Sequence, residues 1–183
     1  CTQPASTTGT NSETGGVSSP GSGQFSQLFN AAGAEMDAVN ISSDTANEYN
    51  DLTVDAYEKE AFETAISHCD TAKEYYDESI QRAQDALALF QQAGTATSND
   101  LEKELTDISA EMVSIRIQEL AIEKAICEHF AKAAEYSIQE DFEKADEETA
   151  KVEGELERYD QLIEDYNEAL NQFNQAYTTY ESQ

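Results

Sequence analysis

The chain has no tryptophan, two prolines and eight glycines in 183 residues. Both prolines, Pro4 and Pro20, lie before position 24, as do five of the glycines. From residue 24 onward only Gly33, Gly94 and Gly154 interrupt a background rich in Ala, Glu, Gln, Leu and Lys. Those are good helix formers, and a body so poor in chain breakers reads as all-helical with few turns. Basic residues are equally scarce. Ten Lys and Arg stand against 38 Asp and Glu, a formal net charge of −28, and none occurs before Lys59. A field of that sign repels DNA, RNA and anionic lipid, so nucleic acid is excluded as a partner. A salty habitat would account for the same charge without any function. No run approaches the roughly 18 apolar residues of a spanning helix, so membrane attachment has to come from a covalent lipid.

Signatures of catalysis are missing as well. There is no glycine-rich phosphate loop, no Gly-x-Ser-x-Gly, no His-Glu-x-x-His and no Cys-x-x-Cys-His. A di-iron bundle needs a Glu three residues before each histidine, but Ala65 precedes His68 and Ile126 precedes His129. Acidic pairs such as Glu140-Asp141 and Glu147-Glu148 lack the spacing of a calcium loop and read as a solvated face. The expectation is a protein that is not an enzyme and that has no cofactor and no metal site.

What is present begins with Cys1. It is followed by Thr2-Gln3-Pro4-Ala5-Ser6-Thr7-Thr8-Gly9-Thr10, and the chain stays Ser/Thr/Gly-rich to Gly23. In this stretch it resembles a mature prokaryotic lipoprotein, bacterial or archaeal. The resemblance covers residues 1–23 and turns on one cysteine in context. It implies lipidation of Cys1, membrane attachment through that lipid, and an extracytoplasmic place at the cell surface or in the periplasm. Residues 1–23 contain one Val and no Leu, Ile, Phe, Met or Tyr. They cannot bury enough surface to offset ordering entropy, and are expected to form a disordered tether.

Residues 24–183 are expected to form one domain, an antiparallel bundle of four long helices at about 24–57, 60–93, 98–137 and 140–181. The last helix has the clearest pattern. Phe142, Ala145, Thr149, Val152, Leu156, Tyr159, Ile163, Tyr166, Leu170, Phe173, Tyr177 and Tyr180 step by three and four in alternation, a heptad that implies a supercoiled seam. Leu101, Leu105, Ile108, Met112, Ile115, Ile122 and Ile126 mark one face of the preceding helix, and Val113, Ile117, Leu120, Cys127 and Phe130 a second. So wide a girdle makes this the central helix, with Ser98 as its N-cap. Phe62, Ile66, Cys69, Tyr76, Ile80, Ala83, Leu87 and Phe90 face one way in the second helix, which closes at Gly94 as C′ residue. Between Val39 and Ala46 the stretch Asn40-Ile41-Ser42-Ser43-Asp44 reads as a kink or break in the first. A shift of 80 residues lays the second helix on the fourth, with Ala61-Phe62-Glu63-Thr64-Ala65 on Asp141-Phe142-Glu143-Lys144-Ala145, as two related hairpins would. The phrase Asp141-Phe142-Glu143-Lys144-Ala145 resembles the opening of a second helix in tetratricopeptide repeats. That resemblance implies hairpin packing, not a solenoid, because the helices here are about twice as long.

Candidate site residues are few. If the second and third helices run antiparallel about 94–98, Cys69 and Cys127 come to within about one turn, roughly 6 Å along the axis. A disulfide, two buried thiols, or a metal site with His68 or His129 all remain open. Asn40-Ile41-Ser42 is a glycosylation triplet at Asn40. Tyr166, Phe173, Tyr177 and Tyr180 crowd the C-terminal end as an aromatic groove or interaction seam, with Phe173 and Tyr177 expected in the core and Tyr180 exposed. The functional expectation is a non-enzymatic cell-surface lipoprotein that binds or scaffolds other envelope proteins. The alternative is an extracytoplasmic, sensory-type bundle that captures a small ligand or cation. The latter requires polar residues inside the bundle, for which His129 and the inner tyrosines are the candidates.

Overall fold

The computed structural model describes residues 22–182. Residues 1–21 of the expected tether, with the lipidation site Cys1, lie outside the described residues, and Ser22 and Gly23, expected at its end, belong instead to the first helix. Four α-helices follow in order, α1 (Ser22–Glu58), α2 (Phe62–Thr95), α3 (Asp100–Ile138) and α4 (Phe142–Glu181). Each packs on the next as an all-α bundle, as the composition and periodicity predict.

α1 runs without interruption through 40–44, where the sequence reads as a break. Its serines turn their hydroxyls back onto the helix: Ser42 Oγ donates to Ala38 O at 3.0 Å and Ser43 Oγ to Asn40 O at 3.1 Å. Side chains that favour turns when exposed are satisfied inside the helix once they face neighbours, and both serines are buried.

Two of the three turns are built alike. Glu60 and Glu140 adopt φ of 59° and 61°. Ala61 N donates to Ala56 O, and Asp141 N to Tyr136 O, both at 2.9 Å. Each is a helix end closed by a left-handed C′ residue, and they lie 80 positions apart, the shift that superposes the two hairpins in sequence. The third turn is longer and differs. Gly94 is not its C′ residue: α2 continues to Thr95 and Gly94 keeps helical backbone. Its role is spatial, since a Cβ there would lie 2.7 Å from Thr106 Oγ1 of α3. The N-cap of α3 is Asn99, not Ser98. Its side chain accepts from Leu101 N at 2.9 Å and Glu102 N at 3.4 Å.

α2 and α3 form the centre. α2 buries Ala65, Cys69, Ala72, Tyr76, Ser79, Ala83, Ala86, Phe90 and Ala93, a seam dominated by small side chains. Small residues at a contact bring helix axes to the near end of the usual 8–10 Å range. α4 is an edge helix whose backbone approaches that of α3 alone, and its stripe is rotated from the expected one. The row Ala145, Val152, Tyr159, Tyr166, Phe173, Tyr180 does face the protein. Its companion row is Glu148, Glu155, Leu162, Ala169, Ala176 rather than Phe142, Thr149, Leu156, Ile163, Leu170, Tyr177. Phe142, Leu156, Ile163 and Tyr177 are exposed. One neighbouring helix covers only part of a wide apolar stripe, and here it covers the middle row and one flank.

No Cα of α1 lies within 8 Å of one in α4. The bundle is therefore open along one side. At one end side chains bridge the gap, where Phe29 of α1 packs on the cluster of Leu105, Ile108 and Ala176.

Candidate functional site

The open side forms a groove with a cavity of about 540 Å³. This is within the range of about 300–1,000 Å³ usual for small-molecule sites. α1 supplies Phe29, Gly33 and Met36 on one wall, and α4 supplies Ile163, Leu170 and Phe173 on the other. α3 forms the floor with Met112, Val113, Arg116 and Glu119, and Phe90 of α2 closes one end. The apolar character follows from the fold. The flank of the α4 stripe that no helix covers faces this space, and the Phe29 and Phe90 rings meet edge to face at 5.1 Å.

A buried polar cluster sits in the floor. Arg116 Nη1 donates to Glu119 Oε2 at 3.0 Å and to Glu123 Oε1 at 3.3 Å. Nη2 donates to Ser43 Oγ of α1 at 3.1 Å, and Tyr159 Oη of α4 donates to Glu123 Oε1 at 2.9 Å. Three helices are thus joined in one cluster, α1 through the guanidinium and α4 through Glu123. Glu119 is only 3% exposed. Glu119 Oε1 and Glu123 Oε2 are buried with no hydrogen-bond partner. Ionised, the group carries one positive and two negative charges, so acceptors and negative charge are in excess. The electrostatics agree. Burial pushes the Glu123 carboxyl above its ordinary range, against the pull of Arg116. Burial also costs the Arg116 guanidinium, but Glu123 and Glu119 outweigh it and hold the group protonated. Burial and the Glu123 charge push the Tyr159 hydroxyl up to about 12.

The cluster was legible only as an oddity: Arg116, Glu119 and Glu123 interrupt the widest apolar girdle in the chain at helical spacing. The histidines named as candidates lie elsewhere. His129 Nδ1 is 2.8 Å from Glu148 Oε2, tying α3 to α4. His68 lies tilted beside Tyr49, ring centroids 6.1 Å apart. No group of three His, Cys, Asp or Glu among the described residues is placed to hold a metal.

Cys69 and Cys127 do face each other across α2 and α3, and both are fully buried free thiols. The Cys69 thiol is pushed up by its hydrogen bond to Cys127 and by burial. Cys127 Sγ lies 3.7 Å from Thr53 Oγ1, which donates its own proton to Tyr49 O at 2.9 Å. With that proton committed, Cys127 is the donor in the Cys127–Thr53 contact. The arrangement satisfies both thiols without a third ligand.

Asn40 is exposed midway along α1 and lines the groove. The aromatic residues of α4 divide. Tyr166 and Phe173 are half-buried and line the groove. Tyr177 is 41% exposed and stacks on Phe173 at 5.8 Å, while Tyr180 is half-buried with its hydroxyl 3.5 Å from Glu102 Oε1. The expected places of Tyr177 and Tyr180 are thus exchanged, because the buried row runs through 173, 176 and 180. No described helix is long and apolar enough to cross a membrane. No protein-family model matches the chain, and neither a curated protein nor a solved structure matches it.

Proposed function

We propose that this protein is a non-enzymatic binding protein that holds a small, largely apolar molecule in the groove between α1 and α4. The observation behind this reading is the gap itself. Two apolar helix flanks face each other with their backbones held apart, and side chains meet only at one end, around a cavity of small-molecule size. Left to water, such a surface gains roughly 25 cal/mol for each Å² that a ligand covers. The other reading, a scaffold that docks envelope proteins through Tyr166, Phe173, Tyr177 and Tyr180, has less in its favour, since only Tyr177 of the four stands exposed. Attachment to the outer face of a membrane through lipid on Cys1 is part of the proposal. It rests on the sequence resemblance, and the mass of the N-terminal peptide from cells that make the precursor tests it.

The groove is tested with a neutral apolar dye such as Nile red. Saturable binding at one site per chain is expected. Gly33→Phe should abolish it at unchanged helicity, because a side chain at Gly33 meets open space in the groove. Binding that does not saturate, or that survives Gly33→Phe, defeats the proposal.

A further inference from the structure

We infer that the groove ligand carries a primary amine or similar cationic hydrogen-bond donor on its apolar body, and that Glu119 receives it. The inference rests on the groove reading above and adds the chemistry of the head group. Three observations carry it. Glu119 is 3% exposed, lines the groove and has one carboxylate oxygen without a partner. A buried carboxylate oxygen left unpaired costs free energy that a donor would recover. Glu123 Oε2, 7 positions along the same helix from Arg116, is unpaired too. Finally, Arg116 is the single basic residue lining the cavity among the described residues, and its Nη atoms are already engaged by Glu119, Glu123 and Ser43. An anionic head group would therefore meet the Glu119 carboxylate, whose counter-charge is shared with Glu123 behind it. A neutral alcohol would satisfy the geometry but leave the excess charge. A cationic amine satisfies both.

The rest of the groove fits an unbranched or aromatic apolar body. The lining includes Phe29, Phe90 and Phe173 together with Met36 and Met112, and methionine adapts to irregular apolar shapes. Tyr159 and Tyr166 line the wall beside Glu119, and the Glu119 charge already raises the Tyr166 hydroxyl after burial does. Both rings share the lining with Glu119, a setting that suits a cation beside aromatic faces.

The test is calorimetry with three probes of one chain length, n-octylamine, 1-octanol and octanoate, on the full chain. About 1 M NaCl is present, so that the Debye length falls to about 3 Å and the overall negative charge does not recruit amines by itself. Octylamine should bind on the order of tenfold to a hundredfold more tightly than octanol, as a charge-assisted hydrogen bond implies. Octanoate should bind most weakly. Glu119→Gln should lower octylamine to the level of octanol and leave octanol unchanged. Equal affinities for amine and octanoate, or a preference that survives Glu119→Gln, overturn the assignment of the head group while octanol binding upholds the groove. Absence of binding by all three probes overturns the groove reading itself, and this inference with it. The preference of the unsubstituted protein is read without any variant, so misfolding of Glu119→Gln would not blunt the outcome.

Discussion

Arg116 is the residue on which the interior depends most. Its side chain is 17% exposed and holds two carboxylates that are 4% and 10% exposed. Removing one partner of a buried charge group leaves the others uncompensated, and Arg116→Ala should cost about 3–5 kcal/mol. Replacing the whole group, as Arg116→Met with Glu119→Leu and Glu123→Leu, should restore most of that loss or exceed it, because desolvation is then avoided. Chemical denaturation of the two variants separates these outcomes, and equal destabilisation of both would contradict the account. The same cluster has a pH signature. Burial raises the Glu123 pKa from its ordinary 4.5, so the folded chain keeps this proton to higher pH than the unfolded chain. Through that window the folded state binds more protons, and stability falls as pH rises from about 4.5 through the folded pKa. Glu123→Gln should remove this component, so the variant gains on the parent as pH rises from 4.5 and the gain levels off above the window. A difference that is flat with pH would show that Glu123 titrates normally. The thiols follow from burial in the same manner. Cys69 and Cys127 should resist iodoacetamide in the native protein and react quickly in denaturant, with two thiols found by mass before reduction.

At the scale of the element, the glycines and the turns behave differently from what residue type alone suggests. Gly33 and Gly154 sit in helices with nothing within 4 Å of an added Cβ. Alanine there should stabilise by about 0.5–1 kcal/mol through helix propensity. Gly94→Ala gains the same propensity but must push against Thr106, whose hydroxyl is held by Lys103 O at 2.7 Å. It should destabilise, and thermal melts of the three variants give opposite signs if the packing of α2 on α3 is as described. Glu60 and Glu140 hold left-handed backbone that favours glycine. Glu60→Gly and Glu140→Gly should each stabilise by roughly 1 kcal/mol, and by similar amounts, because the two turns are built alike.

At the scale of the molecule, the arrangement is graded. α2 is covered by α1 and α3, whereas α4 packs along α3 and meets α1 only through Phe29 at one end. Local stability follows such coverage, so amides in α4 should exchange hydrogen faster than those in α2, and ligand in the groove should slow α4 most. Uniform protection across the four helices would contradict this. The charge of −28 acts on all of them together. Self-repulsion opposes compactness and is screened by salt. The melting temperature should therefore climb between about 0.1 M and 1 M NaCl.

Much of this was legible in the chain itself. The confinement of breakers to a few positions and the apolar steps of three and four determined four long helices, their boundaries within a few residues, and the central place of α3. The turn at 94–98 was enough to bring Cys69 and Cys127 together, because antiparallel helices pair residues by their distance from the turn. Other features were decided only by the tertiary structure. A heptad fixes which side of α4 is apolar, but not which two of its three rows meet a neighbour. That depends on how many helices lie alongside, and α4 has one. The serines of 40–44 look like a break until α2 and α3 supply them with partners. Arg116, Glu119 and Glu123 look like surface charges until the wide girdle around them is seen to be covered. The groove has no local signature at all. It arises because α1 and α4 each pack on the centre and their backbones stay apart, with side chains bridging them only at the Phe29 end.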